Sequence, residues 1–343
     1  MRAVVLHGEK DVRVDEVPLP QPPRPGEVLV EVLRCGICGS DRRAYEHGLG
    51  QSRGPHPLTG HQGPVVLGHE VVGRIVDCGA DVAEDFAPGA RVAVDPTWSC
   101  GRCAACRRGQ HQLCSVAACS GLTGNGGLAP FMLAQAAGLA LVPDQVPDDE
   151  AAMAEPLAVA VHAVSRSALQ PGERVFVVGL GPIGALVALT VRALGAGEVI
   201  AFEPSPQRRA LAPALGITAV LDPASGEPPP RGWADVAFDC AGAPDGLAVA
   251  IRTTRPGARI VVPAVSHGST PVPMSQLVFG ERALLGSLGY NGDVARAISL
   301  IASRAVDVRP LLSSVLPLGE VPAWFEDPGV GGAGLKVLVD PTG

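Results

Sequence analysis

Four cysteines lie close together in one polar segment of the chain: Cys100, Cys103, Cys106 and Cys114. Their C-x2-C-x2-C-x7-C spacing allows four thiolates to converge on one ion, which is the ligand set of a closed tetrahedral zinc site. A closed site has no position for a substrate, so we expect this one to be structural. An iron–sulfur cluster is the alternative, but the bacterial ferredoxin spacing differs and places a proline after the last cysteine.

A second group of metal-binding residue types comes from three separate motifs. Cys38 lies in CGICGSD, His69 and Glu70 lie in GHE, and Glu155 lies in EPL. One thiolate, one imidazole and one carboxylate make three protein ligands and leave a fourth position for water or an alcohol oxygen. We therefore interpret this group as a catalytic zinc site.

A glycine-rich turn joins an apolar run to a helical stretch near the middle of the chain. It has the sequence GLGPIG, with Gly179, Gly181 and Gly184 at the positions of a G-x-G-x-x-G turn and Pro182 and Ile183 between the last two. The glycines permit a tight turn, a close approach of the backbone to a pyrophosphate and close packing of the helix. The helix N-terminus then faces the anion, so the turn predicts a dinucleotide site.

The next predicted strand ends at Glu203, which lies 19 residues after Gly184. A carboxylate at this point accepts hydrogen bonds from the adenosine ribose and repels a 2′-phosphate, so it favours NAD over NADP. Arg208 and Arg209 follow closely, and a phosphate bound by them is the alternative.

Composition excludes several classes of protein. A formal charge of −7 argues against a nucleic-acid partner, because such partners require a clustered basic surface. The apolar stretches are interrupted well before 18 residues, and the N-terminal residues have no signal-peptide pattern, so we expect neither a membrane span nor secretion. The remaining cysteines are too sparse for a disulfide scaffold, which suits the reducing cytoplasm.

The pattern of apolar residues changes near residue 155. Before it, short Val-rich runs such as 27–33 and 71–76 alternate with Pro and Gly clusters and predict a mainly β region. After it, strand-length apolar runs alternate with Ala- and Leu-rich stretches, as in βαβ units around a parallel sheet. The predicted strands are 175–179, 198–202, 219–221, 236–239 and 259–263, followed by a helix at 293–303 and a strand at 335–340.

In this order, the motifs resemble those of the medium-chain zinc-dependent alcohol and polyol dehydrogenases, and the resemblance covers essentially the whole chain. It implies a Rossmann doubly wound parallel sheet at 156–290, inserted into a mainly β, GroES-like catalytic domain at 1–155 and 291–343 that carries the structural zinc lobe. It also implies two zinc ions per chain, NAD, a small alcohol or ketone substrate, and a homodimer or homotetramer.

The resemblance also implies roles for single residues. Cys38, His69 and Glu155 would hold the catalytic zinc, and Glu70 could replace Glu155 or water as a ligand. Ser40 would take the proton from the alcohol. Asp41 would orient the ring of His69 through its other nitrogen.

Two stretches, PHPLTG at 55–60 and GSLGY at 286–290, are similar to 2,3-butanediol dehydrogenases, which favours a vicinal diol or polyol such as 2,3-butanediol, or acetoin in reverse. Arg42 follows Asp41 much as in the glucose dehydrogenase branch, so a sugar or cyclitol stays an alternative. Many relatives have a relay histidine where this chain has Arg43, which leaves His47 as the nearest candidate for the proton exit. A zinc-stabilised binding protein without activity is the alternative from another class.

Overall fold

The computed structural model describes residues 1–49, 54–265, 269–327 and 335–343. The chain divides into two compact units, and each is described separately. The first consists of Met1–Glu155, Val294–Ser303 and Leu312–Gly343; the second consists of Pro156–Asp293 and Arg304–Leu311. The sequence predicts a return to the catalytic domain at residue 291; in the structure the first unit resumes at Val294, and Arg304–Leu311 belongs to the second unit.

The first unit is built mainly from β-strands. These are β1 (Arg2–Gly8), β2 (Asp11–Glu16), β3 (Glu27–Gly36), β4 (Val65–Val66), β5 (Glu70–Cys78), β6 (Arg91–Val94), β7 (Thr97–Trp98), β8 (Ala118–Cys119), β9 (Phe131–Gln135), β10 (Leu139–Leu141), β17 (Leu312–Pro317) and β18 (Lys336–Asp340). The main sheet has the order β10-β6-β5-β3-β18-β17, with β9 also paired to β3. Strand β3 alternates buried and half-buried residues over much of its length, because one of its faces packs on the core.

The second unit contains a six-stranded parallel sheet. Its strands are β11 (Val175–Val178), β12 (Val199–Phe202), β13 (Ala219–Leu221), β14 (Ala234–Asp239), β15 (Thr254–Val262) and β16 (Ala283–Gly286). Their order is β13-β12-β11-β14-β15-β16, so the direction of winding reverses between β11 and β14. This is the doubly wound dinucleotide-binding order, and ligands bind such sheets at the carboxyl ends of the strands beside the reversal.

The helices are short apart from two. They are α1 (Gly39–His47), α2 (Ala104–Arg107), α3 (Asp148–Ala151), α4 (Ala154–Ser167), α5 (Pro182–Ala193), α6 (Pro206–Arg209), α7 (Gly246–Thr253), α8 (Met274–Phe279), α9 (Val294–Ala302) and α10 (Val321–Glu326). Single 3₁₀ turns occur at Glu84–Phe86, His111–Leu113, Ala136–Gly138, Pro223–Ser225, Arg309–Leu311 and Leu318–Glu320. No helix within the described ranges is long and apolar enough to cross a membrane.

Each unit has its own hydrophobic core. In the first unit the core joins the inner faces of β3 and β5 to residues from the end of the chain, including Phe325 and Val339. In the second unit it joins β11 and β14 to α7 and includes Phe176 and Ala237. The strands that hold the candidate ligands therefore leave rigid, apolar sheets, which fixes the direction of the side chains at their ends.

Candidate metal and cofactor sites

Three of the predicted catalytic ligands lie together in the first unit. The Cys38 Sγ, a ring nitrogen of His69 and a carboxylate oxygen of Glu70 all lie within 4.8 Å of one another. Cys38 immediately precedes α1, whereas His69 and Glu70 stand where β5 begins. The group thus brings together the end of one strand and the start of its neighbour, since β3 and β5 are paired with Gly36 opposite Glu70.

Glycine at two positions makes this arrangement possible. A Cβ atom at Gly36 would lie 2.0 Å from Oε2 of Glu70, so a larger residue would displace the carboxylate. Gly68 has φ of +92°, and a Cβ there would lie 2.6 Å from the Sγ of Cys35. Both glycines therefore serve the packing of the site, and Cys35, with no exposed surface, is part of the core.

The ring of His69 lies between Asp41 and Ser40. Nδ1 of His69 is 3.4 Å from Oδ1 of Asp41, and both of these buried atoms are without a hydrogen bond among the described residues. Nε2 is 3.0 Å from Oγ of Ser40. The other oxygen of Asp41 accepts a hydrogen bond of 2.9 Å from the backbone N–H of Cys38, which holds the start of α1 in place.

Electrostatics at His69 reflect its acidic surroundings. Burial alone would lower the pKa of His69, but Asp41 and Cys38 outweigh it and raise the pKa well above the usual value. A cation is therefore favoured here, and the donor set of sulfur, nitrogen and carboxylate oxygen suits zinc. The residues present fit a catalytic zinc ion.

Glu155 is buried at the start of α4, but it is not part of the cluster formed by Cys38, His69 and Glu70. Its negative charge contributes to the raised pKa of Lys336 and to that of Cys119, so it lies near the site. The structure therefore groups Glu70, and not Glu155, with the sulfur and the imidazole. The sequence allows either Glu155 or Glu70 as the carboxylate ligand of the catalytic zinc, and this grouping favours Glu70.

Sequence analysis missed the contribution of Lys336. Its Nζ donates hydrogen bonds to Oε1 of Glu70 at 2.5 Å, to Oε2 at 2.7 Å and to the carbonyl of Ile37 at 3.1 Å. Burial alone would lower the pKa of Lys336, but Glu70 and Cys38 raise it. The available signal was a lysine at the start of an apolar strand, since a buried lysine is rare without a partner.

Cys119 was also outside the predicted site. Burial first, and then the nearby charges of Glu155, Asp41 and Asp95, raise its pKa to about 12, whereas His69 lowers it. Cys119 is thus a neutral thiol close to the cluster of Cys38, His69 and Glu70. Nothing in its spacing distinguished it from the other cysteines outside the structural lobe.

The four lobe cysteines converge as their spacing predicts. Their sulfur atoms lie within 4.8 Å of one another, and Sγ of Cys103 is 3.5 Å from Sγ of Cys106. Backbone N–H groups of Cys106 and Ser115 lower the pKa of Cys103 to about 5, which favours the thiolate that a metal requires. Sulfur is the donor of all four groups, so the lobe fits a closed structural zinc site.

The glycine turn lies between β11 and α5. Gly179 has φ of +85°, and a Cβ at Gly184 would lie 1.9 Å from the carbonyl oxygen of Gly179. Gly181 is the N-cap of α5 with no capping side chain, and Pro182 and Ile183 form its first turn. The free backbone N–H groups at this helix end suit an anion such as a pyrophosphate.

Glu203 follows β12 and is buried beside the same turn. Its carboxylate accepts hydrogen bonds from the backbone N–H of Leu180 at 2.6 Å and of Ser205 at 2.8 Å. Nη1 of Arg208 lies 4.0 Å from Oε2 of Glu203, and the side chain of Arg208 is exposed. Arg209 instead pairs with Asp222 at 2.8 Å. Of the two arginines, Arg208 is therefore the one placed near the glycine turn.

Comparison with known proteins agrees with this geometry. Residues 24–144 match the alcohol dehydrogenase GroES-like domain, and residues 182–303 match the zinc-binding dehydrogenase domain. The sorbitol dehydrogenase of Bacillus subtilis is 31% identical over 91% of this chain and 89% of that protein. The chain therefore belongs to the zinc-dependent medium-chain alcohol and polyol dehydrogenases, and it is an oxidoreductase.

Solved structures show the same architecture. A 2R,3R-butanediol dehydrogenase from Bacillus subtilis is 29% identical, with a TM-score of 0.89 and 99% of each chain covered. A zinc-binding dehydrogenase from Sinorhizobium meliloti, bound to NADP, is 32% identical, with a TM-score of 0.90 and 99% of each chain covered. The predicted fold class, a Rossmann domain with a GroES-like domain, is confirmed.

Proposed function

We propose that the chain transfers hydride between NAD and a secondary alcohol of a vicinal diol or polyol, or the corresponding ketone. The observation that carries the proposal is the cluster of Cys38, His69 and Glu70 with Ser40 beside the imidazole. The similarity to sorbitol and 2,3-butanediol dehydrogenases supports polyols and diols together. Within this class, 2,3-butanediol and acetoin are the candidates that the two sequence stretches at 55–60 and 286–290 favour.

The residues of the site have separate tasks in this proposal. When bound at Cys38, His69 and Glu70, zinc supplies Lewis acidity toward the substrate oxygen, and NAD supplies the hydride chemistry. Ser40 accepts the proton that the alcohol loses from oxygen. Asp41 holds the ring of His69, because it faces Nδ1 and leaves Nε2 directed toward the cluster.

A substrate panel tests the proposal most directly. We expect the protein to oxidise vicinal diols or polyols with NAD faster than aldoses and cyclitols. We also expect Cys38→Ser or His69→Ala to abolish turnover and to leave the circular dichroism spectrum unchanged. A preference for aldoses would support the sugar dehydrogenase alternative suggested by Arg42. A wild-type protein with about one zinc per chain instead of two, and no turnover, would support a binding protein.

We also infer that the protein forms a homo-oligomer. Strand β16 ends the parallel sheet, and within the described residues it pairs only with β15. Leu284 of this strand is 36% exposed, and the apolar residues close to it in sequence include Phe279, 89% exposed, and Leu288, 57% exposed. An exposed apolar edge strand is a template for pairing with a second copy. Light scattering should therefore show an oligomer that Leu284→Arg converts to a monomer, whereas Leu19→Arg on the first unit leaves it intact.

The compartment follows from the thiols. All nine cysteines lie in the described residues and are unpaired. Thiols outside the metal sites, such as Cys78 and Cys119, stay reduced most readily in a reducing compartment, so we propose that the protein works in the cytoplasm. Localisation by fractionation of the producing cells tests this, and recovery outside the cytoplasm would contradict it.

A further inference from the structure

The ion pair between Lys336 and Glu70 lies on the inner side of the candidate metal cluster. Lys336 has 2% and Glu70 has 0% of its side chain exposed, and both carboxylate oxygens accept hydrogen bonds from the same ammonium. A carboxylate oxygen of Glu70 also lies within 4.8 Å of the donor atoms of Cys38 and His69. The same carboxylate therefore faces a fixed cation and the metal position.

The architecture brings this lysine to the site from the far end of the sequence. Lys336 is the first residue of β18, and β18 pairs with β3 so that Leu338 stands opposite Gly36. Gly36 in turn stands opposite Glu70 of β5. The lysine thus reaches Glu70 from two strands away, past the one residue that has no side chain to obstruct it.

The choice of lysine is unusual for this chain. Only two of its 27 basic residues are lysines, Lys10 and Lys336, so arginine accounts for the other 25. Lys10 is exposed. Within the described residues, Lys336 is the one lysine or arginine that is buried. An ammonium is a compact point charge, and here its three donors are used by Glu70 and the carbonyl of Ile37.

The balance of charge around the cluster explains why a buried cation is needed. Asp41 and Glu70 have no exposed surface, and a buried carboxylate without a partner strongly destabilises the folded state. Lys336 neutralises one of these charges whether or not a metal is bound. When a metal is bound, however, two cations share one carboxylate and repel each other.

We propose that Lys336 is a built-in counter-cation that keeps the metal-free site folded and lowers its affinity for metal. The inference rests on the proposed use of Cys38, His69 and Glu70 as ligands. Coupling between two binding partners is reciprocal, so the lysine weakens metal binding to the same degree that the metal weakens the stabilising effect of the lysine. The loss caused by removing Lys336 is therefore larger without the catalytic metal than with it.

A cycle of variants measures this coupling without removing the structural zinc. Cys38→Ser deletes the catalytic thiolate and should lower the zinc content from about two ions per chain to about one. Zinc content thus tests the proposed site separately. Lys336→Met is then placed in both backgrounds and the melting temperatures are compared. Cys38→Ser also removes a negative charge that attracts Lys336. This side effect alone would make the loss caused by Lys336→Met smaller in the Cys38→Ser background, which is the opposite of the expected result.

We expect Lys336→Met to lower the melting temperature more in the Cys38→Ser background than in the Cys38 background. In competition with a chelator, Lys336→Met with Cys38 intact should bind zinc about tenfold more tightly, within the range of typical coupling. The control is Lys10→Met, because it removes the exposed lysine and should change neither quantity. Equal losses in both backgrounds, or a larger loss with Cys38 intact, would overturn the proposal, as would weaker zinc binding.

A second variant keeps the test decisive if Lys336→Met fails to fold. Adding Glu70→Gln removes the charge that the lysine neutralises. In the Cys38→Ser background, the double change Lys336→Met with Glu70→Gln should restore folding if Lys336→Met alone is unfolded, or regain much of the melting temperature that it loses. No recovery would mean that Lys336 contributes through packing and not through charge, which also overturns the proposal.

Discussion

Oγ of Ser40 lies 3.0 Å from Nε2 of His69, on the side of the ring opposite to Asp41. The hydroxyl is thus held at the edge of the candidate metal cluster, although Ser40 itself is only half-buried. Helix α1 fixes this placement, because Ser40 belongs to its first turn and the hydrogen bond between Asp41 and Cys38 anchors that turn.

Ser40→Ala should slow alcohol oxidation by roughly 10²–10⁴-fold at every pH, the usual contribution of a positioned proton acceptor. The reason is that alanine has no oxygen to receive the proton. Profiles of kcat against pH check this, with Ser40→Thr as the matched control that keeps a hydroxyl. A Ser40→Ala enzyme close to wild type would exclude Ser40 as the first proton acceptor.

Arg43 is exposed on the same helix, where many relatives have the relay histidine. A guanidinium is always protonated and cannot pass a proton on, whereas an imidazole can. Arg43→His should therefore raise kcat, most strongly toward acidic pH. Arg43→Gln is the control, because it removes the charge without adding a relay. A profile for Arg43→His that matches wild type would mean that position 43 lies off the proton path.

Cys103→Ser should lower the melting temperature and remove about one zinc ion per chain, because a structural zinc site contributes directly to folding. Metal analysis and thermal unfolding check both effects together. Cys78→Ser is the control, since this thiol lies outside the lobe and donates to the carbonyl of Phe86. A Cys103→Ser protein as heat-stable as wild type would contradict a stabilising lobe.

Glu203 should decide between the two nicotinamide cofactors. Wild type should have a higher kcat/KM with NAD than with NADP, and Glu203→Gln should narrow the ratio about tenfold by removing repulsion of a 2′-phosphate. Glutamine is preferable to alanine, because an oxygen remains for the N–H of Leu180 or Ser205. Arg208→Ala is the companion variant. If wild type prefers NADP and Arg208→Ala loses this preference, Arg208 binds the 2′-phosphate and the assignment of NAD is wrong.

Asp235 should make stability depend on pH. Burial alone would raise its pKa, but the backbone N–H of Arg174 and the side chain of Arg255 lower it below the usual value. The folded carboxyl therefore stays ionised to lower pH than the unfolded one. Its contribution is complete above about pH 4 and is lost as the pH falls through the folded pKa.

Asp235→Asn should accordingly lower the free energy of unfolding by about 1 kcal/mol at neutral pH, with a smaller difference from wild type below about pH 4. Urea unfolding at several pH values measures this. Asp245→Asn changes an exposed aspartate in the same unit and should have little effect. A difference for Asp235→Asn that grows toward acidic pH would contradict the assigned direction of the pKa.

Much of the parallel sheet was predictable, because its central strands are short, fully apolar runs next to turn residues. The runs predicted at 175–179 and 198–202 correspond to β11 and β12 within one residue at either end. Strand β16 was missed, because its sequence ALLG is a short apolar run, which periodicity alone does not distinguish from part of a helix. Strand β15 begins earlier than predicted and includes Pro256 and Gly257, which usually indicate a turn.

The candidate site was predictable where a motif is local. The spacing of the lobe cysteines and the glycine turn both determine geometry within a few neighbouring residues, so sequence patterns describe them well. The buried partner of Glu70 was not predictable, because Lys336 is 266 residues away in sequence. Only the order of strands β18, β3 and β5 brings the two residues together.

The order of synthesis gives the discontinuous first unit a particular folding problem. Strand β18 lies inside the main sheet, between β3 and β17, yet the ribosome produces it after every other strand of that sheet. Until residues 336–340 emerge, the end of β3 at Cys35 and Gly36 lacks its β18 partner and Glu70 lacks its lysine, whereas all six strands of the second unit's sheet are already complete. We therefore expect nascent chains to hold a folded second unit before the first one is complete, and to depend on chaperones for the unpaired edge at the end of β3 in that interval.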